Sequence, residues 1–286
     1  MTIEKYRRPI LFYGLSTGIP WLFWFSAAYL SHITPGNGFY VIAGSSLGIL
    51  GLISPMLIAF TMILKDPGLR GDLWNRLINF QTIKPFYLFA TCFLMLASIL
   101  LAQAVSLLFG YSAAQFSLSG RFSFSAGIFP AWFLLFLAPL LEELAWHSYG
   151  TDCLRARFSL FNASLLFAVF WAIWHLPLSF IKDYYHSNLV ATGWIYTLNF
   201  AFSLIPYVLL MNWLYYKTGR NIGVAIVFHI TAGFFNEIFA THPDSKVIQT
   251  GILLALSAFL VLKERDFFLK RGAPEYDRPG SFSPTI

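Results

Sequence analysis

At 57% apolar and 11% charged residues, the 286-residue chain falls far short of the roughly 25% charged residues of a water-soluble globule. Its net charge of +6 comes from basic residues at the ends of apolar runs, which fits a membrane surface and not nucleic acid. The two cysteines, Cys92 in an apolar run and Cys153 in a basic loop, exclude a disulfide framework and a cysteine-based zinc site.

About 20 apolar residues cross roughly 30 Å of hydrocarbon. Such runs fall near 9–31, 39–64, 85–109, 127–149, 159–181, 194–216, 221–241 and 247–263. The expected fold is therefore all-α: a polytopic membrane protein of about eight transmembrane helices around an interior polar cavity. The first run follows Lys5, Arg7 and Arg8, as in a signal peptide, but no small-residue cleavage site comes after it, so it is expected to be retained. Residues 1–263 form a single transmembrane domain, with 264–286 as a cytoplasmic tail whose prolines point to disorder. Between the second and third runs, 71–80 reads as an amphipathic surface helix. Leu73, Trp74, Leu77 and Ile78 fall on one face, and Asp72, Asn75, Arg76 and Asn79 on the other. Of the 19 Lys and Arg, only Arg121, Lys182 and Lys246 lie on one side of this map. The positive-inside rule then places both termini in the cytoplasm.

An ionisable residue at bilayer depth points to function. The fourth run holds Glu142, Glu143 and His147, the fifth His175, and the seventh His229 and Glu237. Adjacent acids on a helix point about 100° apart, so Glu142 and Glu143 cannot share one task. His147, four residues after Glu143, lies on the same face and can hydrogen-bond to it. Pro177 perturbs the helix just past His175 and frees backbone carbonyls. His229, Gly233 and Asn236 share one stripe, with Glu237 at its edge. His32, His186 and His242 fall at outer ends or loops and are expected to be solvated. The polar groups of the spans could simply bind helix to helix. In an enclosed cavity, however, a glutamate and a histidine can activate water, a second histidine can hold an oxyanion, and two histidines with a glutamate could also bind zinc.

The segments Glu142-Glu143-Leu-Ala-Trp-His147, Trp171-Ala-Ile-Trp174-His175-Leu-Pro177 and His229-Ile-Thr-Ala-Gly233 resemble the CAAX protease and bacteriocin-processing family of intramembrane proteases. Its signatures run Glu-Glu-x-x-x-Arg, Phe-x-x-x-His and His-x-x-x-Asn, and the resemblance covers about 127–241. Three matches in order on three intramembrane helices are far more specific than any one alone. The departures are His147 in place of arginine, Trp171 in place of phenylalanine and Gly233 in place of asparagine.

The resemblance implies a glutamate-type endopeptidase with no cofactor. Glu142 and His175 would activate water, His229 and a donor such as Asn236 would hold the oxyanion, and Glu143 would support them. The implied substrate is a prenylated or other membrane-associated peptide, met in the bilayer at a site open to the cytoplasm. A zinc-dependent version of the protease and a non-catalytic scaffold or immunity protein are the alternatives. Depth agrees in part: Glu142 and His229 lie about 8 residues, or roughly 12 Å, from the cytoplasmic ends, whereas His175 lies roughly 26 Å from Phe158. A helix starting below the membrane would reconcile them.

Overall fold

A computed structural model describes residues 3–34, 37–79 and 83–271. The 272–286 tail, Phe80 and the side chain of Ile78, which carried part of the sequence reading, lie outside the described residues. Among the described residues the protein is all-α, with two isolated β-bridges, Leu118–Phe239 and Ala126–Phe129, as its extended pairing.

A helix stands in each of the eight expected segments: α1 (Pro9–Ser31), α2 (Gly38–Leu64), α4 (Pro85–Leu107), α5 (Ala131–Ala145), α7 (Leu160–Trp174), α9 (Trp194–Lys217), α10 (Ile222–Ile238) and α11 (Pro243–Lys263). Six of them, α7 counted with the turn that follows it, are long and apolar enough to cross a membrane. Of the other two, α10 is apolar but 17 residues long. The fourth, α5, is 15 residues long and runs on through a π turn (Trp146–Gly150) into α6 (Thr151–Arg155). These two shorter elements carry Glu142, Glu143, His147, His229 and Glu237. The short helices are α3 (Pro67–Ile78), α8 (Tyr185–Thr192) and α12 (Arg265–Leu269).

Local chemistry starts these helices where it should. Asp66 caps α3 by accepting from the Gly68 and Leu69 amides, and Pro67 follows in the first turn. Ser159 caps α7 and Asn221 caps α10. α1 and α2 approach closely because Gly51 leaves room for the Trp24 indole. A Cβ at Gly51 would lie 2.3 Å from Trp24 Nε1, which donates to the Gly48 carbonyl.

α3 is a helix as expected, but its buried side differs from the one read from the sequence. Asp72, Leu73 and Arg76 are buried, whereas Trp74 is 59% exposed. The reason is electrostatic. Arg76 pairs with Asp72 one turn back and with Asp152 of α6, and Arg220, in the turn before α10, bridges Asp72 and Asp152. Tyr6 and Tyr216 complete the cluster by donating to Asp72 and Asp152. Burial alone would raise the Asp152 carboxyl, but Arg220 and Arg76 outweigh it and hold the group below its ordinary range. This cluster closes the end of the bundle at which α1 starts.

Candidate active site

Glu142 and Glu143 lie in the last turn of α5, just before the π turn, a distortion frequent at functional sites. The turn is held from below: Arg76 donates to the His147 carbonyl at 2.8 Å and to the Ser148 carbonyl at 2.9 Å. Tyr215 also donates to the His147 carbonyl, at 2.9 Å.

The two acids diverge, as their adjacency requires. Glu142 Oε2 accepts from the Trp171 indole at 3.0 Å and from the Trp146 indole at 3.4 Å. Its other oxygen is left for the cavity that Glu142 lines. Glu143, fully buried, accepts from His229 Nδ1 at 2.7 Å through one oxygen and from His147 Nδ1 through the other. Glu143 is thus turned away from the cavity and acts on His229 from behind.

His175 caps the C-terminus of α7, and a 3₁₀ turn containing Pro177 (Leu176–Phe180) follows. Its Nδ1 donates to the Trp171 carbonyl at 2.6 Å, which leaves Nε2 for the cavity. The Trp171 ring is near both imidazoles, its centroid 5.7 Å from His175 and 5.2 Å from His229. Glu142, His175 and His229 therefore all neighbour one indole and line one cavity of about 550 Å³.

Asn236 also lines the cavity, but its amide nitrogen donates to the Tyr185 hydroxyl at 3.2 Å. Glu237 is elsewhere engaged: it accepts from the Ser123 amide at 2.8 Å and ties α10 to the loop before α5. Among the described residues, no three His, Cys, Asp or Glu side chains gather in a way that could hold a metal ion.

Two features were missed in the sequence. His186 is not solvated: it is 9% exposed, stacks on His175 at 4.9 Å and lines the cavity. The α8 helix folds it back over the site, which no local pattern announced. The indole anchors of Glu142 did leave a signal. Trp146 is four residues after Glu142, and Trp171 replaces a motif phenylalanine, adding an N–H donor.

The cavity runs from Ser31, Ser125 and Tyr184, at the loop end, down to Leu52, Met95, Glu142 and His229. Its loop end is opposite the charged cluster and the start of α1.

The fold and site define a class: an integral membrane protein with a carboxylate and two imidazoles lining a mainly apolar cavity. The sequence profile of Rce1-like type II CAAX prenyl endopeptidases matches residues 123–235, the stretch that contains all of these groups. The protein named CAAX prenyl protease 2 of Methanococcus maripaludis is 36% identical over 272 residues, covering 94% of this chain and 99% of that protein. The chain belongs to the type II CAAX prenyl endopeptidase family, a family of proteases.

Proposed function

We propose that this protein hydrolyses a peptide bond near the C-terminus of a prenylated, membrane-associated peptide, with Glu142 as general base and no metal. One observation carries the reading: Glu142 is fixed by two indole donors on one oxygen, and its other oxygen faces a cavity shared with His175 and His229. A carboxylate held this way can take a proton from water as the water attacks the carbonyl carbon, then pass it to the leaving amine when the C–N bond breaks. His175 Nε2 orients the water. His229, backed by the Glu143 carboxylate, presents Nε2 to the oxyanion and can bear positive charge as the oxyanion forms. The apolar wall formed by Trp24, Leu52 and Leu204 suits a prenyl chain.

The test is release of the C-terminal tripeptide from a farnesylated CAAX peptide by the purified protein. Wild-type cleavage should survive a chelator, and Glu142→Gln and His175→Ala should each lower kcat by about 10²-fold to 10⁴-fold, the usual worth of a positioned acid–base group. Undiminished cleavage by Glu142→Gln would sink the reading, and chelator-sensitive cleavage would replace it with the zinc version.

The basic residues favour cytoplasmic termini. A peptide made in the cytoplasm and entering through the loop end requires the reverse. Single cysteines at Lys5 and Ser125, in a background with Cys92 and Cys153 replaced by alanine, decide between them. An impermeant thiol reagent should label the two from opposite sides of the membrane, and the side that reaches Ser125→Cys is the side that supplies substrate.

A further inference from the structure

The hydrogen bonds behind Glu143 have a direction that begins at a backbone carbonyl. Ser164 of α7 donates its hydroxyl hydrogen to the Leu160 carbonyl at 2.8 Å. Its lone pair is then the acceptor for Asn212 Nδ2 of α9, also at 2.8 Å. This turns Asn212 Oδ1 toward His147 Nε2 at 3.0 Å. An amide oxygen only accepts, so His147 Nε2 carries a hydrogen. Its Nδ1 faces Glu143 Oε2, so one ring is held by Asn212 on one side and meets Glu143 on the other, at the position where the motif it resembles has arginine.

We propose that Asn212 and Ser164 are positioning residues. They fix the orientation and hydrogens of His147, which clamps Glu143 between itself and His229 and so decides which nitrogen of His229 meets the cavity. All four side chains of the relay, Ser164, Asn212, His147 and Glu143, are fully buried. The groups that face His147 from the packed elements are few. Glu143 belongs to its own helix, the Tyr215 ring of α9 lies 4.6 Å away, His229 of α10 stands across Glu143, and Arg76 of α3 binds its carbonyl. Asp152, behind Arg76 and Tyr215, is paired with both arginines of the closed end. Asn212 therefore supplies the acceptor for His147 Nε2, and Ser164 aims it.

This inference rests on the proposed protease reading, and the experiment separates the two. In the peptide assay, Asn212→Leu should lower kcat about 10-fold to 100-fold, as loss of an outer partner of a functional histidine commonly does, with KM within about threefold. Asn212→Asp keeps an acceptor, so it should retain kcat within about fivefold. Ser164→Ala should fall between wild type and Asn212→Leu. Melting in detergent controls for folding, with Asn212→Asp the variant of choice if the leucine variant does not fold. An unchanged kcat in Asn212→Leu, or an equal loss in the aspartate variant at native stability, overturns the proposal while Glu142-dependent cleavage stands. Absence of Glu142-dependent cleavage in wild type overturns the protease reading instead. Nitrogen-15 histidine spectra then test the relay without activity: a hydrogen on His147 Nε2 whose signal shifts in Asn212→Leu supports it, and an Nε2 without a hydrogen in wild type overturns it.

Discussion

The closed end and the cavity end of this bundle both bury ionisable side chains, and they treat them in opposite ways. At the closed end, two aspartates meet two arginines, and every carboxylate oxygen of Asp72 and Asp152 accepts from an arginine or a tyrosine. In the cavity, Glu142 keeps one oxygen toward the cavity, His175 keeps one nitrogen, and neither nitrogen of His186 has a hydrogen-bond partner among the described residues. Charges that satisfy one another hold elements together, and breaking such a set leaves a buried charge. Groups left with an open valence toward a cavity are ready for chemistry, at some cost in stability. The first region also serves the second, because Arg76 belongs to the charged cluster and also binds the π turn that carries His147 and Ser148.

The comparison is broken most directly by neutralising one carboxylate at each end. Glu142→Gln keeps an oxygen for the two indoles, so it should melt like wild type while kcat falls at least about 10²-fold. Asp152→Asn should do the reverse. It leaves Arg76 and Arg220 sharing Asp72, and should cost about 3–5 kcal/mol, read as a lower melting temperature in detergent. Activity per folded molecule should change far less. Equal loss of activity and stability in both variants would erase the distinction.

Acid sharpens the same contrast. Burial opposes ionisation of Asp152, but Arg220 and Arg76 lower its folded-state pKa below the ordinary 3.8. A lowered carboxyl contributes stability that is fully present above the unfolded value and is lost as pH falls through the folded one. Melting temperature should therefore change little with this group above about pH 5 and drop below about pH 4, by less in Asp152→Asn than in wild type. An identical acid slope in the two proteins would show that Asp152 does not link folding to protons.

Much of the fold was legible because membrane helices announce themselves by length and apolarity, and each of the eight expected runs holds a helix. The three motif stretches also pointed to Glu142, His175 and His229, since an acid or histidine in an apolar run stands out. Less legible was anything set by contacts between distant segments. α3 looked apolar on the face bearing Trp74, yet it docks through Asp72 and Arg76, whose partners lie 76 and 148 positions away in the chain. His186 looked like a loop residue until α8 placed it against His175. Asn236 shares the stripe of His229 as expected, but one hydrogen of its amide goes to Tyr185, which lies 51 positions earlier. Periodicity gives the face of a helix; it does not give the partner.

The smallest expected effect concerns the stripe position that glycine leaves bare. Gly233 lines the cavity one turn after His229, and a Cβ there would meet only Leu135 Cδ2, at 3.6 Å, an ordinary contact. No positive φ requires glycine, so Gly233→Asn costs no backbone strain and should gain a few tenths of a kcal/mol in helix propensity. The added amide would supply a donor closer to His229 than that of Asn236. If oxyanion stabilisation limits the reaction, kcat should rise by about threefold to tenfold with KM nearly unchanged, a gain below the 10²-fold worth of a preorganised donor because the new side chain is not held in place. A fall in kcat with a raised KM would mean instead that the space over Gly233 holds part of the substrate. The bare position would then belong with the shape of the cavity and not with its chemistry.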